Sequence, residues 1–227
     1  MKKLLTGFTM LLMALVVLTP IAKAQKAPFT GTVVFDVKVE GDVPEQAKSM
    51  MPTEATFKLA TDKQSMVMNF GMMEQKSIYD ATTQESSSMM NVMGQKFVIK
   101  MTAAQVKEQR AKTMEVVGIK PTTDTKVIAG FTCKKAIVTT KVNGADATTE
   151  VYYTDDIDMT KFAFANTFPG LTGFPLEYTM SQGPMSFKMV CRSIKKETIP
   201  ATEFAISSDY KQVTADELRN MFGGGGQ

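Results

Sequence analysis

Apolar and polar residues alternate along most of this chain. From Thr32 to Glu40, Val33, Phe35, Val37 and Val39 interleave with Asp36, Lys38 and Glu40, the period-2 signature of a strand with one buried and one wet face. Ala55, Phe57 and Leu59 repeat the pattern against Glu54, Thr56 and Lys58, and an Asp62-Lys63 turn leads into Met66, Met68 and Phe70. Lys76 to Asp80, Ser86 to Val92, a Gly94-Gln95 turn, and Phe97, Ile99 and Met101 extend this into an antiparallel meander. Only then does a helix signal come: Thr102 with Gln105 three residues on forms a capping box for a helix reaching Thr113. Strands return over Val127 to Val142 and Thr148 to Thr154, joined by Asn143-Gly144, whose residues tolerate positive φ. A short helix is expected from Met159 to about Thr167. Leu176, Tyr178 and Met180 mark another strand, and a Gly183-Pro184 turn leads to Met185, Phe187, Met189 and Cys191. Phe204-Ala205-Ile206 reads as a last short strand or extended stretch, and Thr214 with Glu217 caps a terminal helix stopped by Gly223. About ten antiparallel strands with two or three short helices predict a mainly β protein, built as a strongly curved antiparallel sheet or an incomplete β-barrel.

The first 24 residues stand apart from this pattern. Lys2 and Lys3, an apolar run from Leu4 to Leu18, and Ala22-Lys23-Ala24 read as a signal peptide cleaved after Ala24. Pro20 interrupts the run before it reaches the roughly 20 residues of a bilayer span, so no transmembrane anchor is expected after cleavage. The product is expected in the periplasm or secreted, with residues 25–222 forming a single domain and 223–227 a disordered Gly-rich tail. The leader carries three of the 26 basic residues, which leaves 23 basic against 23 acidic in the mature chain. A neutral chain offers no field for nucleic acid or an anionic membrane surface. The pattern fixes no oligomeric state.

The chain has no His, which removes the usual general base and the commonest metal ligand, and with them hydrolase triads and His-based zinc sites. Asp155, Asp156 and Asp158 form the densest carboxylate group. They precede the expected Met159 helix, where capping explains them better than catalysis. Gly223 to Gly226 ends the chain and cradles no phosphate. A non-enzymatic protein without cofactor or metal is the expectation. Cys133 and Cys191 are the only cysteines. In an oxidising compartment, and if their strands are neighbours, they are expected to form a disulfide; the alternative is two buried free thiols.

Three of the 19 Met lie in the leader, which leaves 16 in the mature chain. Thioethers suit Cu(I), but these Met have no His partners and no regular ligand spacing, so adaptable apolar surface is the favoured reading. By parity, Phe35, Phe57, Met68, Phe97, Phe187 and Met189 belong to the inner face and are the candidate lining of an apolar cavity. The stretch through Phe168, Pro169, Gly170, Leu171, Gly173, Phe174 and Pro175 sets two Gly and two Pro among large apolar groups. Such a backbone is fixed and non-regular, either a structural plug or a gate over that cavity. Two functions follow: a carrier or sensor of an apolar ligand such as a lipid or lipoprotein acyl chain, or a structural or partner-binding envelope protein whose concavity is filled by its own side chains.

Four motifs, in order, resemble an exported family of unknown function common in Bacteroidetes, of the GLPGLI-like kind. Val127-Ile128-Ala129-Gly130-Phe131-Thr132-Cys133-Lys134-Lys135-Ala136 is similar to its I-x-G-aromatic-x-C-K-K element, and Glu150 to Ile157 to its Tyr/Thr/acidic strand. Phe168 to Tyr178 is similar to its Gly/Leu/Pro segment. Phe204 to Lys211 is similar to its closing motif, with Ser207 and Asp209 in place of Pro and Gly. The resemblance covers roughly 125–212. It implies a relative of the LolA-like lipoprotein-carrier fold, an unclosed antiparallel barrel with helices over a concave side able to hold acyl chains, and it brings no catalytic residues.

Overall fold

A computed structural model of the chain describes residues 28–41, 43–113, 115–142, 145–162, 167–182 and 185–223. The expected leader, the Asn143-Gly144 and Gly183-Pro184 turns, part of the 159–167 helix and the tail beyond Gly223 lie outside the described residues.

The strands are β1 (Gly31–Gly41), β2 (Glu54–Leu59), β3 (Lys63–Phe70), β4 (Met73–Asp80), β5 (Ser86–Val92), β6 (Gln95–Met101), β7 (Glu115–Ile128), β8 (Phe131–Val142), β9 (Ala145–Asp158), β10 (Gly173–Gln182), β11 (Met185–Lys196) and β12 (Lys211–Gln212). The helices are α1 (Glu45–Lys48), α2 (Ala103–Thr113) and α3 (Ala215–Gly223). All twelve strands join one sheet in the order β12-β6-β5-β4-β3-β2-β1-β11-β10-β9-β8-β7. Pairing is antiparallel everywhere except between β12 and β6. The two end strands are not paired to each other, so the sheet is open. No helix among the described residues is long and apolar enough to cross a membrane.

The sheet curls. Phe57 on β2 and Phe174 on β10 are three strand steps apart, about 14 Å on a flat sheet at 4.8 Å per step, yet their rings meet edge-to-face at 5.7 Å. Phe35 on β1 lies between them, 5.3 Å from Phe57 and 6.1 Å from both Phe174 and Tyr178. Register breaks at Val34/Phe35 and within the β9–β10 pairing supply the local bends. The alternating residues of β1 and β2 fill this concave side, with Val33, Phe35, Ala55 and Leu59 essentially sealed from solvent. The convex side carries charge: Arg192 donates from Nη1 to Asp36 and from Nη2 to Glu54, at 2.8 and 2.6 Å.

Four features depart from the sequence pattern. β7 is a full 14-residue strand that alternation did not mark; Gly118, Pro121 and a Thr/Asp/Lys-rich stretch make it a mostly exposed edge strand, where Pro is tolerated. The short helix is described only as a 3₁₀ turn at Thr160–Phe162. Phe204 ends another 3₁₀ turn, Ala201–Phe204, and Ala205 leaves it in extended backbone, so of the two readings the short strand is not formed. The disulfide expected between Cys133 and Cys191 is not formed. β9 and β10 separate the strands that carry them, and each is a buried free thiol whose Sγ donates to a carbonyl of its own strand, Phe131 and Ser193 respectively.

The C-terminal segment wraps around the β6 edge. On the convex side Phe204, Ile206 and Tyr210 pack on Ile78, Met89 and Val98. Glu203 there accepts from Lys58 at 2.6 Å and Lys76 at 2.7 Å, which ties β2 to β4 across β3. β12 then pairs with β6, and α3 turns onto the concave side, where Phe222 meets Phe97 edge-to-face at 5.7 Å. Both expected capping boxes are present. Thr102 N donates to Gln105 Oε1 (2.9 Å) and Gln105 N to Thr102 Oγ1 (3.4 Å). Thr214 N donates to Glu217 Oε2 (2.7 Å) and Glu217 N to Thr214 Oγ1 (3.1 Å).

Candidate functional site: an apolar cleft under the α2 helix

Alternation places Phe57 on β2, Met66 and Met68 on β3, Tyr178 and Met180 on β10, and Met189 on β11 on the concave face. Curling turns β2–β3 toward β10–β11, and the space between them is a cleft of about 290 Å³. The α2 helix lies over it. Its inward face is thin, because Val106 is buried and the position one turn on, which a helix of this kind fills with an apolar residue, holds Arg110. Gln64, Ser77, Tyr79, Ser86 and Thr167 complete the wall. The cleft therefore joins an apolar body, rich in Met, to a polar cluster carried by α2 and the β3–β5 strands.

The electrostatics of that cluster are unusual. Arg110 Nε and Nη2 are shielded from water and have no hydrogen-bond partner among the described residues, and the same is true of Gln64 Oε1. Burial pulls the Arg110 guanidinium below its ordinary pKa, opposed by the nearby Tyr79 hydroxyl. The Tyr79 hydroxyl is itself pushed up, by burial first and by Asp80, with Arg110 opposing. Tyr178 is pushed up to about 12 by burial, against its hydrogen bond with Thr167. A buried polar group without a partner costs on the order of 1–3 kcal/mol, more when charged, so this wall is unfinished as it stands.

The structure places the residues singled out by parity as follows. Phe57, Met68 and Met189 line the cleft. Phe35 is fully buried within the packed core beside it, and Phe187 is a core residue near the sheet end of β11. Phe97 lies away from the cleft under Phe222, next to a second groove of about 420 Å³ between α3 and β4–β6. Within the Gly/Pro segment, Phe168, Leu171 and Phe174 are buried, and Phe168 stacks edge-to-face on Tyr178 at 5.4 Å. Pro169 is half-buried and Gly170, at φ +94°, is exposed. A Cβ on Gly173 would sit 2.5 Å from the Thr154 carbonyl, so only glycine fits there. Pro175 lies in β10 at a register break. The segment forms the end wall of the concavity, and Thr167 just before it reaches the cleft.

A larger depression of about 660 Å³ adjoins the same segment at Thr172 and is bordered by Asp155, Asp156, Asp158 and Phe29. Its acidic groups are engaged in the fold: Asp155 accepts from Lys134 Nζ at 2.6 Å and Asp158 Oδ1 from Thr160 N at 2.8 Å, and Asp156 also has a partner. Among the described residues no His, Cys, Asp or Glu group of three or more is placed to hold a metal ion. Arg110, Gln64, Tyr79, Met66 and Met180 were not among the residues expected from the sequence to line a cavity. The sequence carried no signal for Arg110: it stands four residues after Val106, but α2 has no apolar stripe to say which of its faces meets the sheet.

No protein-family model matches the chain, and no curated protein matches it. Among solved structures, LprF from Mycobacterium bovis aligns over 75% of this chain and 89% of its own, at 10% identity and a TM-score of 0.34.

Proposed function

We propose that this protein is an exported, non-enzymatic carrier or sensor that shelters one apolar chain, such as a lipid acyl chain, in the cleft under α2. The observation that carries the reading is the Met- and aromatic-lined cleft of about 290 Å³ on the concave face. Flexible thioethers repack around varied apolar ligands. At about 30 Å³ per water-sized group the space takes roughly ten methylene-sized groups. Burying these contributes about 8 kcal/mol at roughly 0.8 kcal/mol each, and association costs at least about 4 kcal/mol. At most about 4 kcal/mol remains, which corresponds to a millimolar dissociation constant or weaker, so the apolar wall sets the ligand class and polar contacts set the affinity. The unused carboxylates, the absence of His and the neutral charge of the mature chain support binding over chemistry. The reading is tested by native mass spectrometry and lipid extraction on protein recovered from the envelope of its own cell. A co-purifying lipid, displaced by a fluorescent fatty-acid probe, is expected. Absence of both the lipid and probe binding would leave the alternative, a structural envelope protein.

A further inference from the structure

We infer that Arg110 and Gln64 form a head-group site, so that the ligand of the cleft is a single-chain amphiphile with an anionic head, a carboxylate or a phosphate. The inference rests on the reading of the cleft as a ligand site and says which amphiphile it selects. Arg110 sits on α2, which covers the cleft, one turn after Val106, with Nε and Nη2 shielded and without a partner among the described residues. These two nitrogens are the fork that pairs bidentately with a planar carboxylate or two phosphate oxygens, and because both are shielded where the side chain lies, a head group reaches them by a turn of the Arg110 side chain toward the cleft. Among the described residues no carboxylate pairs with it; the ionisable neighbour that acts on it is Tyr79, a neutral phenol that can donate a further hydrogen bond. Gln64, also lining the cleft, has an unpartnered buried side-chain oxygen, and rotating its amide presents an N–H donor instead. Ser86 adds a hydroxyl.

A structural role does not account for this arrangement. A guanidinium kept for stability is paired, because leaving it buried and unpaired destabilises the fold. At this position Met or Leu would continue the Val106 face and close the helix on the sheet more favourably. Retaining an unpartnered cation beside an apolar cleft fits a site whose missing partner arrives with the ligand. The same residue discriminates by head group: an uncharged alcohol of equal length fills the apolar body but leaves the guanidinium unpaired.

The experiment measures binding of decanoate, decyl phosphate and decanol to the full mature chain by calorimetry, for the unaltered protein, Arg110→Met and Arg110→Lys. The unaltered protein is expected to bind at least one of the two anions ten- to a hundredfold more tightly than decanol, and whichever anion is preferred identifies the head as carboxylate or phosphate. Arg110→Met is expected to abolish that preference, read as the ratio of anion to decanol affinity within the same variant, and Arg110→Lys, a point charge without the fork, to keep part of it. Without ligand, Arg110→Met is expected to melt at a higher temperature, since it removes a half-buried charge two of whose nitrogens are shielded without a partner among the described residues. Equal binding of all three ligands by the unaltered protein, or a preference that survives in Arg110→Met, overturns the head-group site and leaves the cleft standing. Binding of none of the three overturns the cleft reading itself, and a lower melting temperature for ligand-free Arg110→Met assigns Arg110 to the fold.

Discussion

Replacing Glu203 with Gln tests the wrap of the C-terminal segment around the sheet. The carboxylate accepts from Lys58 and Lys76 at 2.6 and 2.7 Å, and Lys76 also donates to the Glu203 carbonyl at 2.6 Å. The side chains are 17% exposed for Glu203, 18% for Lys76 and 33% for Lys58, between the exposed pairs worth roughly 0.2–1 kcal/mol and the buried ones whose breakage costs about 3–5. Glu203→Gln keeps the shape but leaves two ammonium groups facing a neutral amide, so a loss of about 2 kcal/mol is expected, or roughly 4–8 °C in Tm for a chain of this size. Burial alone would raise the Glu203 pKa, but the hydrogen bonds and charges of Lys58 and Lys76 outweigh it and hold the carboxyl below its usual range. A depressed folded pKa means that the contribution is complete above the unfolded value of about 4.3 and is lost as pH falls through the folded one. The assay is urea unfolding followed by far-ultraviolet circular dichroism, because the chain has no Trp, for both proteins at pH 7 and in steps below pH 4.5. The gap between them should shrink as the pH falls. A gap under 0.5 kcal/mol at pH 7, or one that persists unchanged at low pH, refutes the clamp.

Two further outcomes are expected. Gly173→Ala puts a Cβ 2.5 Å from the Thr154 carbonyl and 2.7 Å from the Tyr153 ring, forcing β9 from β10 at the end wall; a loss of about 3 kcal/mol or more is expected, and an unchanged urea midpoint contradicts the packing. Burial pushes the Cys133 and Cys191 thiols to about 11 and 12, so at pH 8 the native protein should react negligibly with a maleimide and take up two after denaturation without reductant; a denatured chain that takes up none contains the disulfide this structure lacks.

The parts of this fold legible in sequence are those where a strand has one wet face. β1 and β2 alternate Val33/Phe35/Val37 and Ala55/Phe57/Leu59 against charge, and both lie where parity puts them. The two capping boxes were readable because each needs only residues three apart. β7 was not, since an exposed edge strand has no buried face to impose alternation. The bridge between Cys133 and Cys191 failed on strand order, which parity does not encode. For the site, parity put Phe57, Met68 and Met189 on the right face but could not say that α3 would cover Phe97 and leave the cleft to α2. Arg110 was passed over because its meaning is tertiary: it becomes informative only once Val106 is known to face the sheet and no carboxylate comes to meet it.

The central claim, that an apolar chain enters the cleft under α2, is tested most directly by labelling the Met methyl groups with carbon-13 and titrating the protein with decanoate by NMR. Met66, Met68, Met180 and Met189 line the cleft, whereas Met50, Met72, Met93 and Met221 are exposed elsewhere. The account predicts saturable shifts of the first four resonances with one common dissociation constant and none for the others. Shifts confined to the exposed methionines, or no saturable shift at all, would contradict it.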